Sequence, residues 1–302
     1  MQILANGIRI EVQDSGVATG ATQQDRPVLL LIMGMGMQLT AWPHTFVQSL
    51  VDAGYRVISF DNRDAGLSKH FDECGVPNLM LASLKYRIRR NLNPPYQVQD
   101  MALDALGVLD ALGVARAHVL GVSMGGMIAQ RVALSAPQRV LSLCSVMSTS
   151  SARGLPEAHA SVLRVLLARP RSAQQADVVD HYVRLLRAIG SPGFPTPEAD
   201  LREQVVQGMR RSYNPNGSLR QTVAVMDDGR RAQELLHIHA PTLVVHGLED
   251  PLLPYACGVD TAQRISGARM VGVEGMGHDL APGVVGRLLG CLLPFLAEHT
   301  PE

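Results

Sequence analysis

Short, continuous apolar runs recur in the first half of the chain and again towards its end, and they predict buried strands. The runs lie at residues 28–33, 56–60, 118–122, 140–146, 242–245 and 270–273. Runs of this length without polar alternation are typical of strands covered on both faces, as in a parallel sheet. Before them, residues 1–13 predict a hairpin, because Asn6-Gly7 accepts the positive φ angles of a tight turn.

Helical periodicity fills the intervals between these runs. The clearest example has apolar side chains three and four positions apart, at Val98, Met101, Ala102, Ala105, Leu109 and Leu112. Gly113 is expected to end that helix, and a final helix is expected near residues 284–297. Strands that alternate with such helices imply right-handed crossovers and a helix-covered, mostly parallel sheet. The predicted fold class is therefore α/β.

Residues 148–235 have a different pattern, without strand-like runs. One helical face is formed by Val179, Tyr182, Val183 and Leu186, and another helix is expected to start at Thr196-Pro197-Glu198. This segment predicts a helical cap inserted between two parts of the core, residues 1–147 and 236–302, and lying over the carboxyl ends of the strands. Its arginines are expected to face solvent, with an acidic group of the substrate as the alternative partner, including Arg210, Arg211, Arg230 and Arg231.

Composition narrows the class of function. The 302 residues carry 27 Lys plus Arg and 27 Asp plus Glu, a formal net charge of zero. A balanced chain lacks the basic surface that counterion release from a nucleic acid requires, so nucleic acid is not an expected partner. The most apolar stretch, residues 28–37, is much shorter than the ~20 residues that span a bilayer, so no membrane association is expected.

The cysteines and the N-terminus bear on the compartment. Cys74, Cys144, Cys257 and Cys291 lie far apart in sequence and without zinc-ligand spacing, which predicts free, buried thiols in a reducing compartment. The first residues do not show the basic and apolar regions of a signal peptide, so a cytoplasmic location is expected.

The segment Gly121-Val122-Ser123-Met124-Gly125 is the sharpest chemical signal, since it ends a predicted strand and opens a predicted helix. A nucleophilic serine must project from such a turn, and glycines two positions to either side leave room for the close backbone. A passive serine in a glycine-rich turn is the alternative, but the position between strand and helix favours Ser123 as a nucleophile.

A serine hydroxyl needs a base and a carboxylate that orients the base. His278 follows the last predicted strand in a glycine-rich loop and is the preferred base, while His246 and His118, at strand ends, are interpreted as structural. Asp250 follows the strand at residues 242–245 and is the preferred acid. Its alternatives are Glu249, which would point the opposite way, and the more local Asp279 and Glu274.

The oxyanion of acyl transfer needs preorganised donors. We expect these to be the backbone N–H of Met124, directly after the nucleophile, and that of Met35, in the Gly34-Met35-Gly36-Met37 loop after the first buried strand. Met33, Met35, Met37 and Met124 are also candidates for an apolar acyl pocket, although methionines often fill a core.

Several motifs together resemble the α/β-hydrolase superfamily, and within it the bacterial esterase branch that contains the methylesterases of anthracycline biosynthesis. They are Leu31-Ile32-Met33-Gly34, Trp42-Pro43, Asp61-Asn62-Arg63-Asp64-Ala65-Gly66-Leu67-Ser68, the Ser123 pentapeptide and Gly277-His278. The resemblance implies an eight-stranded, mostly parallel sheet, a helical cap and a Ser-His-Asp triad without a cofactor. Two positions depart from it: Met33 stands where many relatives have His, and Asp64 where many have Gly.

The function predicted from the sequence is hydrolysis of a small-molecule carboxylic ester through an acyl-enzyme on Ser123. Carbon–carbon bond hydrolysis and perhydrolysis with the same triad are alternatives of the same fold. A ligand receptor that retains a slowly reacting triad is an alternative from another class.

Overall fold

An eight-stranded sheet forms the centre of the protein in a computed structural model that describes residues 1–18 and 26–301. The strands are β1 (Gln2–Ala5), β2 (Ile8–Asp14), β3 (Val28–Ile32), β4 (Arg56–Phe60), β5 (Ala117–Val122), β6 (Val140–Val146), β7 (Thr242–Gly247) and β8 (Arg269–Val273). Their order across the sheet is β1-β2-β4-β3-β5-β6-β7-β8. The pairs β1–β2 and β2–β4 are antiparallel, and all the others are parallel.

From β3 onwards one or two helices follow each strand, except between β6 and β7, where five helices follow one another. They are α1 (His44–Asp52), α2 (Leu79–Arg87), α3 (Val98–Ala111), α4 (Met124–Ser135), α5 (Ala160–Leu167), α6 (Gln175–Ile189), α7 (Glu198–Arg211), α8 (Pro215–Asp227), α9 (Arg231–Glu234), α10 (Tyr255–Arg264) and α11 (Pro282–Glu298). This architecture confirms the predicted α/β class and the eight-stranded, mostly parallel sheet.

Both faces of the sheet are covered, which explains why its central strands are continuous apolar runs. In β3, Leu30 and Ile32 pack into one apolar cluster together with side chains of α3 and α4. Leu29 and Leu31 pack into the opposite cluster with side chains of α1 and α11. Alternate residues of a strand point to opposite faces, so an all-apolar strand can fill two cores at once.

The segment between β6 and β7, which we call the helical segment (residues 148–235), contains α5 to α9. A small apolar cluster of its own joins α6 and α7 through Val179, Val183 and Leu201. Helix α7 begins at Glu198, at the predicted start, with Pro197 as the N-cap, and no side chain caps it.

The arginines of the helical segment are less exposed than the sequence suggested. Arg231 is fully buried and donates hydrogen bonds to Asp228 Oδ2 (2.6 Å), the Thr149 carbonyl (2.9 Å) and the Gln130 side chain. Arg211 pairs with Asp61 Oδ2 at 2.7 Å. The expectation that these arginines face solvent was therefore wrong for Arg211 and Arg231, because acceptors distant in sequence meet them in the fold, whereas Arg210 and Arg230 are exposed as expected.

Asp64 shows how the helical segment is joined to the core. Its φ angle is 66°, in the left-handed region that glycine adopts at little cost, which fits the glycine of many relatives. The aspartate side chain accepts hydrogen bonds from Arg220 of α8 (2.8 and 2.7 Å) and from the Tyr96 hydroxyl (2.7 Å). The unusual residue thus connects the loop after β4 to the helical segment.

The cysteines are free, as expected, but they differ in exposure. Cys144 and Cys257 are buried and Cys291 is half-buried, whereas Cys74 is exposed, so the prediction that all of them are buried was wrong for Cys74. Across the described ranges 1–18 and 26–301, none of the helices combines the length and the apolar character needed to cross a bilayer.

Candidate active site

Ser123 lies in the sharp turn between β5 and α4. Its backbone has φ 55° and ψ −122°, a conformation that a non-glycine residue adopts only under strain. A Cβ on Gly121 would lie 2.0 Å from the Gly125 carbonyl oxygen, and one on Gly125 would lie 2.0 Å from the Ile32 carbonyl oxygen. Glycine is therefore required at both positions for β3, β5 and α4 to meet at this turn.

Ser123, His278 and Asp250 form a continuous hydrogen-bonded chain. The Ser123 hydroxyl donates to His278 Nε2 over 2.9 Å, and His278 Nδ1 donates to Asp250 Oδ2 over 2.7 Å. Because a carboxylate accepts from Nδ1, Nε2 is free to accept the serine proton. The three side chains follow β5, β7 and β8, whose carboxyl ends share one edge of the parallel sheet.

Asp250 is buried and is held by more groups than the histidine alone. Its Oδ1 accepts the backbone N–H groups of Leu252 (2.9 Å) and Leu253 (2.8 Å), and His246 Nε2 lies 3.3 Å from Oδ2. Burial raises the pKa of Asp250, but His278 and His246 together outweigh it and hold that pKa well below the usual range. The carboxyl group is therefore ionised whenever His278 is a neutral base.

The other acids proposed from the sequence do not contact His278. Glu249 is exposed, and its Oε2 accepts the backbone N–H of Gly275 over 2.7 Å. Asp279 accepts hydrogen bonds from the backbone N–H of Ser191 (3.2 Å) and from its hydroxyl. Glu274 is exposed at the end of β8. Asp250 is the acid that the fold brings to the imidazole.

The two expected oxyanion donors belong to chain segments that adjoin the serine. Gly34 packs directly against the nucleophile, since a Cβ on it would lie 3.3 Å from Ser123 Cβ and 3.5 Å from the Val122 carbonyl oxygen. Met35 follows Gly34, and Met124 is the first residue of α4. Within the described part of the chain, neither backbone N–H has a hydrogen-bond acceptor, so both can donate to a substrate. The helix N-terminus at Met124 further favours a negative oxygen.

The loop that carries His278 is held by the helical segment. The His278 N–H donates to the Ile189 carbonyl at 2.7 Å, and the Gly277 N–H donates to Ser191 Oγ at 2.9 Å. Gly193 N–H donates to the Gly275 carbonyl at 2.9 Å. The position of the imidazole thus depends on residues that join α6 to α7 as well as on β8.

His246 and Ser191 were missed as parts of this site. His246 was interpreted as structural, yet it is fully buried beside Asp250 while its Nε2 donates to the Leu253 carbonyl at 2.6 Å. Its place at a strand end, four residues before Asp250, was a usable signal. Ser191 has no sequence signal, because its partner Asp279 lies 88 residues away.

The chemistry at this site is that of side chains and backbone amides. Among the described residues, 1–18 and 26–301, no group of three or more His, Cys, Asp or Glu side chains is arranged to hold a metal ion. Of the four methionines considered for an acyl pocket, Met33 and Met124 are buried in the core, while Met35 and Met37 are partly exposed in the loop after β3.

Fold and site together are those of a hydrolase, and sequence comparison agrees. Residues 27–281 match the family described as the alpha/beta hydrolase fold, and the chain belongs to that family. It is 30% identical to rhodomycin D methylesterase DauP of Streptomyces sp. strain C5 over 271 residues, 83% of this chain and 85% of that protein. It is 28% identical to rhodomycin D methylesterase DnrP of Streptomyces peucetius over 270 residues, with coverage of 83% and 85%. The resemblance inferred from the motifs is thereby confirmed.

Solved structures extend the likeness of fold. The enol-lactonase from Burkholderia xenovorans LB400 superimposes with a TM-score of 0.69 at 23% identity, covering 98% of this chain and all 100% of that one. At this identity the match shows the shared fold alone.

Proposed function

We propose that this protein is a serine carboxylesterase that acts on small-molecule esters. The observation that carries the proposal is the chain from Ser123 Oγ through His278 to Asp250, with hydrogen bonds of 2.9 and 2.7 Å, in a strained turn beside two free backbone donors. This combination supplies a nucleophile, a base and a site for a developing negative charge.

The proposed reaction has two halves. In the first, Ser123 Oγ attacks the ester carbonyl carbon while His278 Nε2 takes the hydroxyl proton, and the carbonyl oxygen becomes an oxyanion that accepts from Met35 and Met124 N–H. The tetrahedral intermediate then collapses, and His278 returns the proton to the departing alcohol. In the second half, water gives its proton to His278 and attacks the acyl-enzyme, which releases the carboxylic acid and restores Ser123.

Asp250 stays ionised throughout this cycle. Its carboxylate fixes the imidazole tautomer and stabilises the imidazolium that forms in each half, without taking the proton itself. The low pKa that His278 and His246 give to Asp250, against the opposing effect of burial, supports this role.

The substrate is proposed from the relatives and from the helical segment. The two relatives reported above are named methylesterases, so methyl esters are the first substrates to test. We propose that the helical segment forms a cap over this end of the sheet, because its residues Ile189 and Gln221 contact the loops that carry His278 and Met35. A cap of this kind would select the substrate by size and shape.

A direct test compares the parent with Ser123→Ala on a short p-nitrophenyl ester. We expect kcat to fall by about 10⁵ to 10⁶, as for removal of a triad serine elsewhere. A fluorophosphonate should label the parent on the Ser123 peptide and should leave Ser123→Ala unlabelled. Ser135→Ala, an exposed serine on the same helix, is the control and should be labelled like the parent.

The outcome separates the competing functions. Fast labelling with turnover of esters supports the esterase, and a comparison of methyl esters with larger alkyl esters then defines the alcohol group. If Ser123 is labelled but no ester is turned over, two other reactions replace the esterase proposal. Cleavage of a vinylogous diketone would indicate carbon–carbon hydrolysis, and oxidation driven by peroxide would indicate perhydrolysis. An unlabelled parent protein would contradict an activated serine altogether.

A further inference from the structure

The loop that carries the Met35 donor is a tight turn, which we call the oxyanion turn (residues 34–37). The Met37 N–H donates to the Gly34 carbonyl over 3.3 Å, and Gly36 has φ 66°, the positive value that the third residue of a type II turn needs. The turn projects from the end of β3, and Gly36 at its tip is exposed. A turn of this kind needs contacts from elsewhere to hold its peptide groups in one orientation.

Gln221 of α8 makes such a contact and is fully buried. Its Oε1 accepts the Gly36 N–H over 2.8 Å, and its Nε2 donates to the Arg63 carbonyl over 2.8 Å. Because one partner is a donor and the other an acceptor, the amide can satisfy both in a single orientation. Gln221 therefore connects the oxyanion turn to the loop after β4 through two directional bonds.

Neighbouring residues of α8 also contact the turn. Ser218 lies three residues before Gln221 and four before Thr222, so it neighbours both on the surface of the helix. The Ser218 hydroxyl fills the space where Gly36 would carry a Cβ, at 2.6 Å, and the Thr222 hydroxyl donates to Met35 Sδ over 3.2 Å. One face of α8 therefore packs along the whole tip of the turn.

Helix α8 is itself fixed to the core beside these contacts. Arg220, adjacent to Gln221, donates two hydrogen bonds to the buried Asp64 carboxylate. This buried ion pair holds α8, and with it Gln221, in a defined position relative to the core.

From this arrangement we infer that Gln221 is a positioning residue for the oxyanion hole, an inference that rests on the proposed esterase function. The bond to Gly36 fixes the peptide group between Met35 and Gly36, and the turn closure fixes the chain on its other side. Together they hold the preceding Met35 N–H towards the position of the substrate oxygen. Gln221 touches no reacting atom and acts only through the oxyanion turn.

The expected effect follows from the cost of displacing a donor. Loss of a complete oxyanion donor costs about 10² to 10³ in kcat, and a shift of about 1 Å in a reacting group can cost about 10². Gln221→Met keeps the length of the side chain and removes both hydrogen bonds. We expect kcat for a p-nitrophenyl ester to fall about 10-fold to 100-fold, with KM changed by no more than about threefold, because the donor acts mainly on the transition state.

A pair of inhibitors provides a second readout that a loss of stability would not change. Ser123 adds to a trifluoromethyl ketone to form a tetrahedral adduct with a negative oxygen, whereas the matching methyl ketone binds without that charge. For Gln221→Met we expect the inhibition constant of the trifluoromethyl ketone to rise in parallel with the loss of kcat. The inhibition constant of the methyl ketone should stay near the parental value.

Gln130→Met is the matched control. Gln130 is equally buried and also joins the core to the helical segment, through Ser145 Oγ at 3.1 Å and Arg231, but it does not contact the oxyanion turn. We expect Gln130→Met to lower the melting temperature and to keep kcat and the ratio of the two inhibition constants within about threefold of the parent. If both glutamine variants show the same kinetics, Gln221 has only a structural role and the inference is wrong.

If Gln221→Met does not fold, Gly36→Ala tests the same bond from the other side. Gly36 is exposed, and a Cβ there would meet the Ser218 hydroxyl at 2.6 Å in a left-handed backbone. The same loss of kcat and the same selective weakening of the trifluoromethyl ketone support the inference, and unchanged kinetics overturn it. The proposed function is judged separately on the parent protein, by its ester turnover and fluorophosphonate labelling.

Discussion

The core and the helical segment are held by different forces. In the core, side chains such as Leu30 and Ile32 of β3 pack among apolar neighbours on a sheet covered on both faces. The helical segment is joined to that core through polar groups, including the buried pair of Arg220 with Asp64 and the hydrogen bond from Arg231 to the Gln130 side chain. The free energy gained by burying apolar side chains scales with the buried area and has little directional preference. Hydrogen bonds between charged groups, by contrast, fix the distances and angles between their partners.

This difference matters because the candidate active site belongs to both regions. The core supplies Ser123, Asp250 and His278, while the helical segment binds the histidine loop through Ser191 and the oxyanion turn through Gln221. The core brings the reacting groups to one edge of the sheet. The polar contacts of the helical segment then set the orientation of the loops on which two of the functional groups lie.

Asp250→Asn, whose expected effect is exceeded only by that of Ser123→Ala, tests the contribution of the core. Asp250→Asn removes the charge that stabilises the imidazolium and permits the wrong tautomer, so kcat should fall by about 10⁴ with the fold unchanged. Steady-state kinetics with a p-nitrophenyl ester and circular dichroism measure the two properties. Glu249→Gln alters the adjacent exposed carboxylate and should change kcat by less than about threefold. If kcat falls in Glu249→Gln and not in Asp250→Asn, Glu249 is the acid and the assignment of Asp250 is wrong.

The second prediction concerns the anchoring of the helical segment. Arg220→Met leaves the buried Asp64 carboxylate without its charged partner, and loss of one partner of a buried pair costs about 3–5 kcal/mol of unfolding free energy. Burial raises the pKa of Asp64, while Arg220 and the other donors lower it by more. In Arg220→Met the pKa of Asp64 should therefore rise, and unfolding by acid should begin at a higher pH.

Arg202→Met is the control for this experiment. Arg202 pairs with Asp180 at 2.7 Å, in the same helical segment, but both side chains are exposed by about two fifths. Such a pair contributes about 0–1 kcal/mol, so urea unfolding of Arg202→Met should resemble that of the parent. If both variants lose the same unfolding free energy, burial of the ion pair does not determine how strongly it holds the helical segment.

The third prediction tests a titrating group within the core. His118 of β5 is fully buried, with its ring nitrogens 2.7 Å from Ser142 Oγ and 3.1 Å from Thr300 Oγ1. Burial, with a smaller effect of His299, lowers the pKa of His118 to about 4. Between this pKa and the value near 6.5 in the unfolded chain, the unfolded state binds more protons, so stability is lost as the pH falls.

From pH 7 to pH 5, His118 should remove about 2 kcal/mol from the free energy of unfolding. Urea titrations at the two pH values measure this loss, and His118→Gln should reduce it. His44→Gln changes an exposed histidine and should leave the pH dependence as in the parent. A parental pH dependence in His118→Gln would mean that other groups cause it.

The last prediction concerns a single hydroxyl that joins the two regions. Ser191→Ala removes the donor to Asp279 and the acceptor for the Gly277 N–H, both next to His278. We expect a loss of about 1–3 kcal/mol of unfolding free energy, the cost of leaving a buried group unsatisfied, together with a lower kcat from a less ordered imidazole.

The matched change on the surface is Ser172→Ala. Ser172 is exposed, and its hydroxyl donates to Asp177 within the helical segment. An exposed substitution of this kind should change the stability by about 0.5 kcal/mol or less and should leave kcat unchanged. If Ser191→Ala also leaves the stability and kcat unchanged, the helical segment does not order the histidine loop.

Much of the fold was predictable because each strand is indicated by the apolar residues within it. The run at residues 56–60 coincides with β4 and that at 140–146 with β6, and the other predicted strands differ from the observed ones by a residue or two at an end. The hairpin at Asn6-Gly7 forms with φ angles of 48° and 76°, as the dipeptide predicted. Local signals succeed here because apolar periodicity and turn chemistry act over a few neighbouring residues.

The polar contacts were not predictable in this way. Arg231 was expected in solvent, and Asp64 had no assigned role, because Thr149 lies 82 residues from Arg231 and Arg220 lies 156 residues from Asp64. A charged side chain has the same sequence signature whether it meets water or a buried carboxylate. His246 was interpreted as structural, although its side chain lies against Asp250, which follows it by only four residues.

The sequence by itself determined the α/β architecture, the Ser123 turn with its required glycines, and the order of serine, acid and histidine along the chain, since each depends on local periodicity, local backbone conformation or position after a strand. Tertiary structure alone decided which carboxylate meets His278, how Gln221 and Ser191 hold the loops of the site, and which arginines are buried. Those outcomes depend on hydrogen bonds between residues far apart in sequence, whose geometry exists only after the chain has folded.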